Sequence, residues 1–161
     1  MGAIVRLPLL VARRMNVSEL MTKEVVTITA TKTAQDASQL MTDRGVGCIV
    51  VLNSDGVASG IITERDLVSR VMAKSLRPET ALVGDVMSTP LVTVSTHEPL
   101  EKAAEIMSTN KVRRLPVIER NSLVGILTSI DLAKSLPLIA KSEKMVNKIS
   151  EALSRTPSNP K

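Results

Sequence analysis

Two short stretches of this chain carry the residue types that could do chemistry, and they are the same stretch written twice. Gly60-Ile61-Ile62-Thr63-Glu64-Arg65-Asp66 returns as Gly125-Ile126-Leu127-Thr128-Ser129-Ile130-Asp131. Each is an apolar strand end running into Thr-x-x-Asp and then into an apolar helical pattern. Such a step sets a hydroxyl and a carboxylate at a helix N-terminus, where backbone N–H groups lack partners and the helix dipole favours negative charge. That is a seat for a polyol or a phosphate. A single Thr-x-x-Asp is equally a capping box, in which the acid reaches back to the Thr N–H. Two copies in register ask for more than a cap.

Other reactive side chains offer little to build on. His97 is the chain's one histidine, so neither a metal cluster nor a triad forms around it. Asp66 and Asp131 stand in separate copies, which gives a paired acid/base mechanism no support. Cys48 is the one cysteine; it excludes an intrachain disulfide, fits a reducing compartment and reads as a small buried hydrophobe. Arg113-Arg114, taken by itself, reads as a solvated pair on a strand edge. An enzyme is the least favoured class.

Composition narrows the classes further. None of the 161 residues is aromatic, so the core is aliphatic and a bound base would lie between aliphatic walls. Single-strand platforms that stack bases on rings are disfavoured. The net charge of +5 sits at the ends. Residues 1–16 carry three arginines and no acid, and residues 133–161 carry six basic and two acidic residues, leaving 12 basic against 14 acidic over 17–132. A nucleic-acid contact through those ends is therefore the alternative function. The apolar start, Ile4 to Val11, is broken by Pro8 and stopped by Arg13-Arg14, short of the ~20 apolar residues of a spanning helix. With no clear signal-peptide order, a cytoplasmic protein is expected.

The elements that must hold the two motifs also come twice. Val17-Ser18-Glu19-Leu20-Met21-Thr22 answers Val83-Gly84-Asp85-Val86-Met87-Ser88 at an offset of 66, which falls to 65 after the turn at Asn53 to Gly56. Periodicity predicts a strand at Val25 to Ile28, a helix over Thr33 to Arg44, strands at Cys48 to Leu52 and Val57 to Ile62, and a closing helix over Glu64 to Ala73. The second copy predicts Val92 to Val94, Pro99 to Asn110, Leu115 to Ile118, Leu123 to Leu127 and Ser129 to Leu136. The fold class is α+β, an α/β two-layer arrangement of two tandem β-α-β-β-α repeats about an approximate twofold axis. The expected boundaries are an N-terminal arm at 1–16, repeats at 17–73 and 83–136, a linker at 74–82, and over 137–161 a basic amphipathic helix with a loose tail.

This doubled pattern resembles the CBS domain pair, or Bateman module, over residues 17–136. The marks are Met21-Thr22 and Met87-Ser88 ahead of a short strand, the Arg114-Leu115-Pro116-Val117 strand, and the paired Gly-x-x-Thr-x-x-Asp. It looks especially like the small stand-alone pairs of archaea and bacteria. The resemblance implies a regulatory sensor that binds an adenine nucleotide (AMP, ADP or ATP) or S-adenosylmethionine as ligand, with no catalytic cofactor. It implies that Asp66 with Thr63, and Asp131 with Thr128, hold the ribose. It assigns Thr22, Val26, Thr27, Val46, Gly47 and Cys48 to the Asp131 pocket, Ser88, Val92, Thr93, Val112 and Arg113 to the Asp66 pocket, and Ile61 and Ile126 to the base walls. Arg113 and Arg114 are the implied phosphate contacts; their counterparts are Gly47-Cys48, so one strong site and one weak or empty site are expected. The resemblance further implies a homodimer and a regulated protein partner, with no membrane.

Overall fold

A computed structural model describes residues 15–135 and Pro137. The basic helix expected over 137–161 and nearly all of the arm at 1–16 lie outside the described residues. Among the described residues, no helix is long and apolar enough to cross a membrane.

The first repeat runs α1 (Val17–Leu20), β1 (Thr27–Thr29), α2 (Ala34–Arg44), β2 (Cys48–Leu52) and β3 (Ala58–Thr63). It closes with α3, made of Glu64–Asp66, a π turn at Leu67–Val71 and a 3-10 turn at Met72–Lys74. The second has α4 (Val83–Val86), α5 (Leu100–Asn110), β4 (Arg114–Glu119) and β5 (Ser122–Thr128), followed by α6, helical over 129–135. Helix α2 starts where Thr33 and Asp36 form a capping box: the Thr33 N–H donates to Asp36 at 3.0 Å and the Asp36 N–H donates to the Thr33 hydroxyl at 3.1 Å. It stops at Gly45, whose φ of 62° needs a residue without a Cβ penalty.

Sheet one has the order β1-β2-β3, with β1 parallel to β2 and β3 antiparallel to it. Sheet two is the β4-β5 hairpin. The strand expected at Val92 to Val94 is reduced to one parallel bridge, Val94 to Val117. Proline chemistry gives the reason. In the first repeat the Val50 N–H donates to the Val26 carbonyl at 3.1 Å; the matching residue in the second is Pro116, which has no N–H to give. The closing helix also departs from the regular one expected, since its middle widens to a π turn. Leu67 and Val71 are buried in the first core, and Arg70 reaches across to α4.

The two cores trade their opening helices. Ile28, Ala37, Met41, Ile49, Val51, Ile62 and Val71 of the first repeat pack with Val83 and Val86 of α4, while Leu100, Ala103, Met107, Leu115, Val117 and Leu127 of the second pack with Val17 of α1. Thr22 and Ile126 exchange two backbone hydrogen bonds of 2.9 Å, and Ser88 and Ile61 do the same at 2.8 and 3.1 Å. Each Thr-x-x-Asp strand is thus edged by the opening segment of the other repeat.

Two glycines make that approach physically open. A Cβ at Gly125 would sit 2.6 Å from Met21 Sδ and 3.0 Å from the Thr22 carbonyl, and one at Gly60 would overlap Met87 Sδ and press the Ser88 carbonyl. The spacing of Gly, Thr and Asp therefore encodes three jobs: an open sheet edge, a helix cap and a carboxylate. The linker is tied down by the same symmetry. Ala81 and Pro78 carbonyls accept from the first N–H groups of α2, as the Met15 carbonyl accepts from Leu100 at the start of α5.

Candidate functional site

Where the two repeats meet, a cavity of about 510 Å³ opens. It gathers residues from both copies. Thr22, Val25 and Val26 come from the segment after α1; Val46, Gly47 and Cys48 from the approach to β2; Arg113 and Arg114 from the approach to β4. Ile126, Thr128, Ser129 and Ile130 supply the β5–α6 step. The walls are aliphatic, as a chain without aromatic residues requires.

Both Thr-x-x-Asp motifs form capping boxes, and the caps leave very different carboxylates behind. At Asp131, Oδ2 accepts from the Thr128 N–H at 2.9 Å and from the Thr128 hydroxyl at 2.6 Å. Its Oδ1 has no partner among the described residues. At Asp66, Oδ2 accepts from the Thr63 N–H and hydroxyl at 2.9 and 2.7 Å. Its Oδ1 is also engaged, by the Ser88 hydroxyl at 3.1 Å and by Arg70 Nη2 at 3.4 Å. A carboxylate has about four lone-pair positions. Asp66, 7% exposed, meets three hydrogen bonds and a guanidinium from within the protein, whereas Asp131 keeps two positions open among the described residues.

Of the residues expected around Asp131, several line the cavity, though Asp131 itself is not among its lining residues. Thr22, Val26, Val46, Gly47, Cys48, Ile126 and Thr128 line the cavity, with Asp131 one turn behind Thr128. Thr27 does not line it. Side chains alternate along a strand, so with Val26 on the cavity face Thr27 falls on the other, in a shallow groove with Lys32 and Asp36. Arg113, expected on the Asp66 side, lines this cavity beside Arg114. Around Asp66 the structure collects Thr63, Ser88 and Ile61. Val92 and Val112 pack against the second core, and Thr93 is half-buried between Val92 and Val94.

Sequence reasoning missed the acids. Glu24 and Glu64 line the same cavity as the two arginines. A Cβ built on Gly47 would lie 2.9 Å from Glu64 Oε2 and 3.0 Å from Arg114 Nη2, so Gly47 is the gap through which both charges face the cavity. Glu64 sits between the two residues of the first motif that were singled out, and its counterpart is Ser129; that mismatch was the available signal. Burial pushes the Cys48 thiol above its ordinary range, with Arg114 opposing and Glu64 adding to the rise. The rise favours the neutral thiol in a mixed-charge site. Among the described residues, no group of three or more His, Cys, Asp or Glu could hold a metal ion.

Comparison with known proteins places this arrangement. The CBS-domain family model matches residues 17–73 and 83–138. The CBS domain-containing protein YhcV of Bacillus subtilis is 39% identical over 118 residues, covering 73% of this chain and 83% of that one. A conserved protein of Pyrococcus horikoshii, known by crystal structure, superposes with a TM-score of 0.71 at 29% identity, over 76% of this chain and 92% of the other. A CBS domain pair solved in complex with 5′-methylthioadenosine and S-adenosyl-L-methionine superposes with a TM-score of 0.69 at 21% identity, over 76% and 95% of the two chains.

Proposed function

The chain belongs to the CBS-domain family, as a tandem pair, and from that premise we propose that it is a regulatory module sensing an adenosine-containing ligand in the cavity between its repeats. One observation carries the reading. Asp131 holds its cap with Oδ2 and leaves two acceptor positions on Oδ1, behind a hydroxyl that lines an aliphatic cavity furnished with two arginines. A ribose offers two neighbouring hydroxyl donors, and a carboxylate oxygen that accepts both makes charge-assisted hydrogen bonds. The base then lies against Val26, Val46 and Ile126, and an anionic tail reaches Arg113 and Arg114.

The ligand contacts both repeats, so it favours the inter-repeat arrangement that closes on it, and a protein bound to that surface feels the change as a shift of population. The chain is a binding module in this reading and not an enzyme. A second copy of the chain is the first partner: Val68 and Met72, one turn apart on α3, are 57% and 69% exposed, and Ile130 on α6 is 65% exposed. Apolar side chains so displayed fit an interface between copies.

Titration calorimetry with AMP, ATP and S-adenosylmethionine tests the proposal, with sedimentation of the same samples reporting the dimer. Asp131→Asn keeps the shape and removes the charge. Charge-assisted hydrogen bonds contribute about 1.5–3 kcal/mol, so the variant should bind the preferred ligand about tenfold to a hundredfold more weakly. Wild-type protein that binds none of the three, or Asp131→Asn that binds as well as wild type, sinks the reading.

A further inference from the structure

We infer that Arg70 keeps the Asp66 site closed, so that the protein takes one nucleoside ligand per chain and carries a second, latent site for the same class of ligand. The inference rests on the reading of Asp131 given above. The backbone frame of a second site is complete: the Ser88–Ile61 bridge mirrors the Thr22–Ile126 bridge, and Thr63 holds Asp66 as Thr128 holds Asp131. What differs is the side of the carboxylate that a cis-diol would need.

Arg70 and Ser88 occupy that side. Arg70 Nη2 lies 3.4 Å from Asp66 Oδ1, and its Nη1 donates to the Val86 and Met87 carbonyls at 2.9 and 2.6 Å. The guanidinium thus ties the carboxylate to the end of α4, the helix lent by the other repeat. Asp66 and Arg70 stand four residues apart, a spacing that makes side chains neighbours on a helix.

At the matching position the second repeat has Ser135, whose hydroxyl turns back to its own Leu132 carbonyl at 2.6 Å. Thr22, the counterpart of Ser88, makes no hydrogen bond to Asp131 among the described residues and lines the cavity instead. Two positions separate the carboxylates, Arg70 against Ser135 and Ser88 against Thr22, and of these only Arg70 also ties Asp66 to the end of α4. A ribose arriving at Asp66 would have to displace an ion pair and break two further hydrogen bonds of the same guanidinium, whereas at Asp131 it displaces no protein group.

The experiment counts ligands. Equilibrium dialysis with AMP and with S-adenosylmethionine is run on the full chain, on Arg70→Ser and on Arg70→Met, which retains the aliphatic stem if the shorter side chain costs the fold. Arg70 is 44% exposed, so substitution there should leave the cores intact, which circular dichroism melts of each variant check. Wild type should bind one ligand per chain and the Arg70 variants two; adding Asp66→Asn to Arg70→Ser should return the count to one, and adding Asp131→Asn instead should leave one. A folded Arg70 variant that still binds one ligand, or wild type that binds two, overturns this inference and leaves the Asp131 reading standing. No binding by wild type or variants overturns both. No binding by wild type with one ligand in Arg70→Ser, lost on Asp66→Asn, overturns the Asp131 reading and upholds the lock.

Discussion

Gly125→Ala puts the exchanged architecture to a quantitative test. The backbone there is not in the left-handed region, so alanine should gain about 0.4–1 kcal/mol by restricting the unfolded chain. Against that stand two contacts of unequal softness. Met21 Sδ, 2.6 Å from the new Cβ, can swing aside; the Thr22 carbonyl at 3.0 Å cannot, because it accepts the Ile126 N–H at 2.9 Å in the bridge that seats the segment. Overpacking of this kind costs about 1–3 kcal/mol, and stretching the bridge removes part of a hydrogen bond of about 1 kcal/mol. The net expectation is a loss of about 1–2 kcal/mol, or roughly 2–8 °C in Tm for a chain of this size. Thermal melts of wild type, Gly125→Ala, Met21→Ala and the double variant form a cycle. The double variant should lose less than the sum of the singles, since removing the methionine makes room for the methyl. A neutral or stabilising Gly125→Ala, or strict additivity, would refute the close-approach argument, and Gly60→Ala against Met87→Ala provides an independent repeat.

Two further expectations concern the cavity's charges. Glu64→Gln removes one of two acids facing the arginines; a phosphate about 8 Å away would escape about 2 kcal/mol of repulsion at an effective dielectric of 20, less after screening, so AMP should bind about five- to tenfold tighter while uncharged adenosine is unmoved. Equal gains for both ligands would refute the electrostatic account. Because burial raises the Cys48 thiol, the neutral form is preferred in the folded state: the stability it confers is complete below the ordinary thiol range and is lost as pH climbs through the raised value. Iodoacetamide should therefore label Cys48 more slowly than a free thiol at pH 8, faster as pH rises, and more slowly again with AMP bound. A rate equal to that of free cysteine and indifferent to AMP would count against Cys48 as a cavity residue.

The repeat was legible because its marks are local. A Gly at a fixed distance from Thr and Asp, an apolar run of strand length and a turn at Asn53 to Gly56 are all signalled within a few residues. The β2 strand at Cys48–Leu52 and α2 at Ala34–Arg44 fall where periodicity put them, α2 with Thr33 as its cap. The strand before α5 was not legible from its own residues, since Val92 to Val94 has strand composition; its loss is written in Pro116, across the sheet. The cavity's acids were hidden for a similar reason. Glu64 falls on the cavity face through the turn of α3 and the absence of a side chain at Gly47, and neither is a property of Glu64 itself. The i,i+4 pairing of Arg70 with Asp66 is a helical spacing, but the carbonyls of Val86 and Met87 that hold the guanidinium come from the other repeat and leave no local mark.

The lending of α1 to the second core and of α4 to the first has a consequence for how such a chain could have arisen. A gene encoding a single repeat would make a protein whose core lacks the helix that fills it, because its own opening helix faces outward toward a neighbour. Two such half-length chains complete each other by swapping those helices. The tandem chain has the arrangement of such a swapped homodimer, with the eight residues between Lys74 and Val83 making intramolecular what would otherwise be a concentration-dependent encounter. In a homodimer of identical halves both copies of a position hold the same residue, whereas on one chain they can differ, as Arg70 and Ser135 do.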